Sequence, residues 1–135
     1  MKLLLLLIIL MAAGCGSPQT FPDRSITLGE MFMMRRGEAV RIGGSGDIVR
    51  FVGVESDSRC PKDVKCVWEG NAAVTLEHSF INRNPVRFTL NTTNQPRDTI
   101  INGYKFALLD VVPGRVADDT IAQDSYRLSL ILERP

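Results

Sequence analysis

The chain is nearly devoid of imidazole and has almost no excess charge of either sign. Its single histidine, His78, is the only side chain that could serve a Ser or Cys nucleophile as an imidazole base. A zinc centre built from the usual four nitrogen and sulfur ligands lacks donors for the same reason. No GxSxG elbow, HExxH pair or P-loop occurs, and neither does the CxxC pair of a dithiol redox centre. Carboxylates are plentiful, so paired acids meeting only in the folded chain stay open as a hydrolytic device. Sixteen Lys and Arg stand against 15 Asp and Glu, and the 12 arginines are scattered. Such a balance gives no electrostatic reason to expect nucleic acid or anionic lipid as a partner, and scattered single charges read as a solvated surface. Apolar runs long enough to cross a bilayer are absent as well. The longest, Leu3 to Met11, is well short of the about 20 residues a spanning helix requires.

That short run is informative in its place. Lys2, the apolar run, and then Ala12, Ala13 and Gly14 leading into Cys15 have the order of an export signal. The AAGC ending resembles the lipobox of bacterial lipoproteins, although Ala12 stands where that pattern usually has Leu. The resemblance implies cleavage before Cys15 and acylation of its thiol and new N-terminus, and several acyl chains anchor stably where one is marginal. Residues 1–14 are then a lipoprotein signal peptide, 15–24 a lipidated tether, and 25–135 a single domain. The tether holds two prolines and no apolar periodicity, and reaches at most about 30 Å. Gly16 is not the Asp that resembles an inner-membrane retention signal. The expected location is the cell envelope, on the outer membrane facing the periplasm where two membranes exist. Lys2 is the only charge in the leader, so the remainder carries fifteen charges of each sign.

From Ser25 onward the apolar period is two. Val74, Leu76 and His78 alternate with Ala73, Thr75 and Glu77; Val86, Phe88 and Leu90 with Arg87 and Thr89; Tyr126, Leu128, Leu130 and Leu132 with Arg127, Ser129 and Ile131. Further strands are expected over Ile26 to Met34, Glu38 to Ile42, Asp47 to Val54, Thr99 to Ile101 and Tyr104 to Val112. Asn102-Gly103 is the pair that a two-residue hairpin prefers, because both positions tolerate positive φ. No segment holds a helical period over three turns. The expectation is an all-β antiparallel sandwich or small barrel of about seven or eight strands. The long connection Pro113 to Asp124 suggests a Greek-key crossover.

Chemistry concentrates in DSRCPKDVKCVWEGNA, Asp57 to Ala72. With Cys15 taken by lipid, Cys60 and Cys66 have only each other, and an exported pair so close is first a disulfide. Closing that ring would stabilise the fold by about 2.4 kcal/mol through lost chain entropy. The stretch resembles a motif of small exported bacterial proteins, many of them lipoproteins, of the form DSRCPxxVxCxWxGxA. The resemblance implies an exported, disulfide-clipped β domain and brings no catalytic residues with it. Trp68 is expected in the core, shielding the disulfide. Its alternative is a contact role on an interaction surface with Arg59, Lys62, Lys65 and Glu69.

Two metal readings compete with this one. Met31, Met33 and Met34 supply the soft thioethers that suit Cu(I), with His78 as a further donor, but strand alternation divides the methionines between two faces. Asp118, Asp119 and Asp124 could offer oxygens to calcium, at a spacing that fits no EF-hand loop. The sequence as a whole predicts a non-enzymatic, membrane-anchored binding module without a cofactor, engaging a protein or envelope component. Metal delivery is the alternative, and an envelope hydrolase the third reading.

Overall fold

A computed structural model describes residues 22–135. The leader, Cys15 and most of the tether lie outside the described residues. Nine strands follow in chain order: β1 (Ser25–Ile26), β2 (Met31–Arg35), β3 (Ala39–Ile42), β4 (Ile48–Asp57), β5 (Ala72–Ser79), β6 (Val86–Asn91), β7 (Asp98–Ile101), β8 (Tyr104–Val112) and β9 (Arg127–Glu133). They form two packed sheets, one ordered β1-β3-β4-β5-β6 and the other β2-β9-β8-β7. The molecule is an all-β sandwich, antiparallel except where short β1 runs parallel to β3. Among the described residues its core runs from Ile26 to Leu132.

In β2, β5 and β9 the alternation of the sequence is the alternation of burial, whereas β6 departs from it, with Val86 exposed and the adjacent Leu90 and Asn91 both buried. Phe32 and Met34 in β2, Leu76 and His78 in β5, and Leu128, Leu130 and Leu132 in β9 all point inward. Where the apolar period breaks, the chain bulges. Phe51 and Val54 lie three apart, yet both face the core, because the β4–β5 register shifts between Phe51 and Gly53. The Gln123 side chain then pairs with the bulged strand, accepting from Val54 N–H at 3.2 Å and donating to its carbonyl at 2.9 Å. A bulge in the β8–β9 ladder turns Leu108 and Val111 of β8 to the same side and leaves Leu109 outside. The Asn102-Gly103 turn joins β7 to β8 with φ of 51° and 77°, as that pair's tolerance of positive φ requires.

Two expectations are corrected. Ile26 to Met34 is not one strand: β1 belongs to one sheet and β2 to the other. The intervening residues carry the chain across, with the Gly29 amide bonded to the Leu132 carbonyl at 2.7 Å. Ile26 and Phe32 both need the core, and they reach it from opposite layers. The connection from Pro113 to Asp124 is not a crossover either, because β8 and β9 are hydrogen-bonded neighbours. Its length serves instead to cover one end of the sandwich.

His78 is fully buried, edge-on to Phe80, Tyr104 and Phe106, with ring centroids 4.2–5.7 Å away. Among the described residues neither ring nitrogen has a hydrogen-bond partner. Asp47 Oδ2 stands 3.7 Å from Nε2. Burial pushes the imidazole below its ordinary value of 6.5, and the Asp47 carboxylate only partly offsets this. The folded chain therefore binds its proton less readily than the unfolded chain. Stability should fall as pH drops from 6.5 towards the folded value, by about 1.4 kcal/mol per unit of depression. Chemical denaturation of the wild type and His78→Leu across pH 7 to 5 checks this. The wild type should lose stability in that window while the variant stays flat, and parallel profiles would show that His78 does not carry the effect.

Candidate functional site

At the end of β4 the chain builds a clasp between the two sheets. Asp57 takes the Arg59 guanidinium on both oxygens, Nε to Oδ1 at 2.8 Å and Nη2 to Oδ2 at 2.6 Å. Arg59 also donates to the carbonyls of Val111 and Pro113, where β8 ends in the opposite sheet. The Tyr126 hydroxyl completes the cluster by donating to Asp57 Oδ2 at 3.0 Å. Both charged side chains are largely buried, Asp57 7% and Arg59 16% exposed. Burial alone would raise the Asp57 carboxyl, but the bonds and charge of Arg59, with Tyr126, hold it below its ordinary 3.8. The same carboxylate raises Arg59, and burial together with Asp57 raises Tyr126.

The rest of the Asp57–Ala72 stretch is secured from this point. Cys60 and Cys66 are joined in a disulfide with Cα atoms 5.9 Å apart. Strand-like bonds run beneath it, from Ser58 N–H to Asn71 O at 2.8 Å and from Cys60 N–H to Glu69 O at 2.9 Å. Gly70 is required there: at φ +74° a Cβ would lie 1.9 Å from the Ser58 carbonyl oxygen. Asn71 ties in the 91–94 turn, donating to Asn91 Oδ1 at 2.8 Å and accepting from the amides of Thr93 and Asn94 at 3.0 and 3.1 Å. The long β8–β9 connection closes the other side. Arg115 donates to the Arg59 carbonyl at 2.9 Å, Lys62 N–H to Arg115 O at 3.0 Å, and Ala117 N–H to Asp63 Oδ1 at 2.8 Å.

On this frame the apolar residues point outward. Trp68 is 76% exposed and Val67 is 95% exposed, with Val64 also on the surface. The expected core position of Trp68 is thus overturned: the side chain stands in solvent on the loop that runs from the end of β4 to the start of β5. Lys62, Lys65 and Glu69 are exposed on the same loop. Arg59 does not join them, being turned inward as the clasp. The D-S-R triplet and the G-N pair that flank the cysteines are the trace of this polar network in the sequence. Beside Trp68 a shallow recess is lined by Glu69, Asn71, Thr93 and Asn94. A neighbouring cleft of about 400 Å³ is lined by Arg59, Glu69, Arg97 and Asp110.

The methionine and histidine candidates do not gather. Met31 and Met33 lie on the outer face of β2 and Met34 on its inner face. His78 sits by Tyr104 at one end of β8, whereas Met34 pairs with Leu128 opposite Val111. Seven residues of strand, roughly 20 Å, separate those ends. Asp118, Asp119 and Asp124 are exposed, and Asp124 pairs with Arg36. Among the described residues no three His, Cys, Asp or Glu side chains converge as a metal site. No family model, curated protein or solved structure matches the chain.

Removing one member of a buried ion pair strands the other, which costs about 3 kcal/mol or more. Arg59→Ala should lose that much in urea unfolding, and Asp57→Asn/Arg59→Ala should cost less than the two single changes summed. Additive costs, or a loss under about 0.5 kcal/mol for Arg59→Ala, would show that the clasp is not the organising contact. The depressed Asp57 carboxyl contributes stability above 3.8 that is lost as pH falls through its folded value, a window separate from that of His78.

Proposed function

We propose that the protein is a membrane-anchored envelope lipoprotein whose domain is a non-enzymatic binding module. Cys15 is its lipid anchor, and the loop from Cys60 to Trp68 is its contact surface. The observation that supports this reading is the exposure of Trp68 and Val67 on a segment fixed by a disulfide, an ion-pair clasp and a ladder of backbone bonds. A large aromatic held in solvent on a rigid frame presents apolar area at little further entropic cost, which favours tight association. Lys62 and Lys65 beside it suit a protein or envelope component with an apolar recess and an acidic rim.

A second reading has one observation in its favour. Glu69 and Asp110 both line the cleft beneath the loop, as an envelope hydrolase using paired acids would require. The binding reading is preferred because it uses the exposed aromatic, which the hydrolase reading leaves without a role.

A photo-crosslinking side chain placed at Val67, and separately at Arg83 in the loop between β5 and β6, tests the reading in intact cells. Val67 should give a discrete adduct that disappears with Trp68→Ala, and Arg83 should give none. Equal adducts from both positions, or none from Val67, would contradict it.

A further inference from the structure

Arginines far apart in the sequence meet at the β2–β9 edge. Arg24, Arg35, Arg36 and Arg127 line an open cleft of about 640 Å³, and Glu38 is the one acid among its described lining residues. That acid is already engaged: Oε1 takes Arg24 Nη1 at 2.7 Å, and Oε2 takes the Arg35 amide at 2.8 Å. Arg36 is paired with Asp124. Arg35 and Arg127 stand directly opposite each other across the β2–β9 ladder, a like-charge pairing that destabilises a sheet. Among the described residues neither has a carboxylate within ion-pair distance. Arg127 spends Nη1 on the Ser125 carbonyl at 3.0 Å, and two neighbouring arginines lining one cleft, each without an acid partner, still offer N–H donors suited to a phosphoryl group.

The same ribbon becomes apolar along its length. Met33 opposes Ser129 and Met31 opposes Ile131, and the two methionines are 43% and 64% exposed. Basic and apolar ends lie about 13 Å apart, four residues of strand. The entering chain bounds how far this surface can lie from Cys15. Arg24 lines the cleft, and Cys15 lies nine residues before it, at most about 30 Å of extended chain. Near-zero net charge conceals this segregation, because strand pairing gathers what the sequence scatters.

We propose that this cleft binds the phosphoryl groups of anionic phospholipids, with Met31 and Met33 entering the headgroup boundary beside it, so that the domain rests on the bilayer by its β2–β9 edge. The proposal deepens the anchored reading and relies on it only for the nearness of a bilayer. Residues 16–135, which contain all nine described strands and the core between them, can be sedimented with phosphatidylcholine vesicles with and without about one-third phosphatidylglycerol. Anionic vesicles alone should bind the chain, and binding should weaken as salt is raised. Arg35→Gln/Arg127→Gln should reduce it roughly tenfold or more, and Met31→Ser/Met33→Ser several-fold. Removing the facing charges should leave melting unchanged or raised, which separates lost binding from lost folding. Equal binding to both vesicles, no binding, or indifference to the arginine change would overturn the proposal. Inorganic phosphate binding without vesicle binding would also overturn it and assign the cleft to a free anion. Cys15 is absent from this chain, so acylation is judged separately, from the mass of the full chain extracted from membranes.

Discussion

The Asp57–Arg59 pair is the contact on which the working end of this sandwich depends. Asp57 is the last residue of β4, and Arg59 reaches from it to the carbonyls that end β8. One guanidinium therefore fixes the spacing of the two sheets where their strands run out. Buried ions are costly unless paired and hydrogen-bonded, and this pair satisfies the condition with Tyr126 and two backbone carbonyls. The disulfide acts after this clasp in the structural order. It tightens a loop whose two roots, Ser58 and Asn71, the clasp and the backbone ladder have already brought together.

Rigidity at this end gives Trp68 its meaning. A mobile surface loop carrying an aromatic would lose entropy on docking; a loop bonded to both sheets and to the 91–94 turn has already lost it on folding. The β2–β9 edge offers a different chemistry, basic and thioether-rich, near the point where the chain enters the domain. In the proposed arrangement one surface meets the bilayer and the other reaches a partner, and both stand where β8 runs out, since Arg127 pairs with Val112 and Arg59 bonds the Val111 and Pro113 carbonyls.

How far the sequence was legible follows from which interactions are local. Strand alternation is local, so β8 was readable to the residue, and β5, β6 and β9 within two at each end. The β1–β2 break was hidden because Ile26 and Phe32 keep the period of a single strand while belonging to different sheets. The cysteine pair was readable because its partners are close in the chain. Trp68 was misplaced because burial of a loop residue depends on what lies beyond the strand ends, which periodicity does not encode. The arginine cleft was invisible for a related reason: Arg35 and Arg127 become neighbours only through the β2–β9 register. Met33 and Met34 show the opposite case, since alternation alone placed them on different faces.

The central claim is that the Asp57–Ala72 stretch is a fixed platform. Amide hydrogen exchange of the oxidised chain measures this directly, residue by residue. The amides of Ser58, Cys60, Lys62 and Asn94, each bonded in the folded loop, should exchange as slowly as those at the strand ends. If these four instead exchange at the rate of an open coil while β4 and β5 remain protected, the loop is not a platform, and the exposure of Trp68 loses its structural basis.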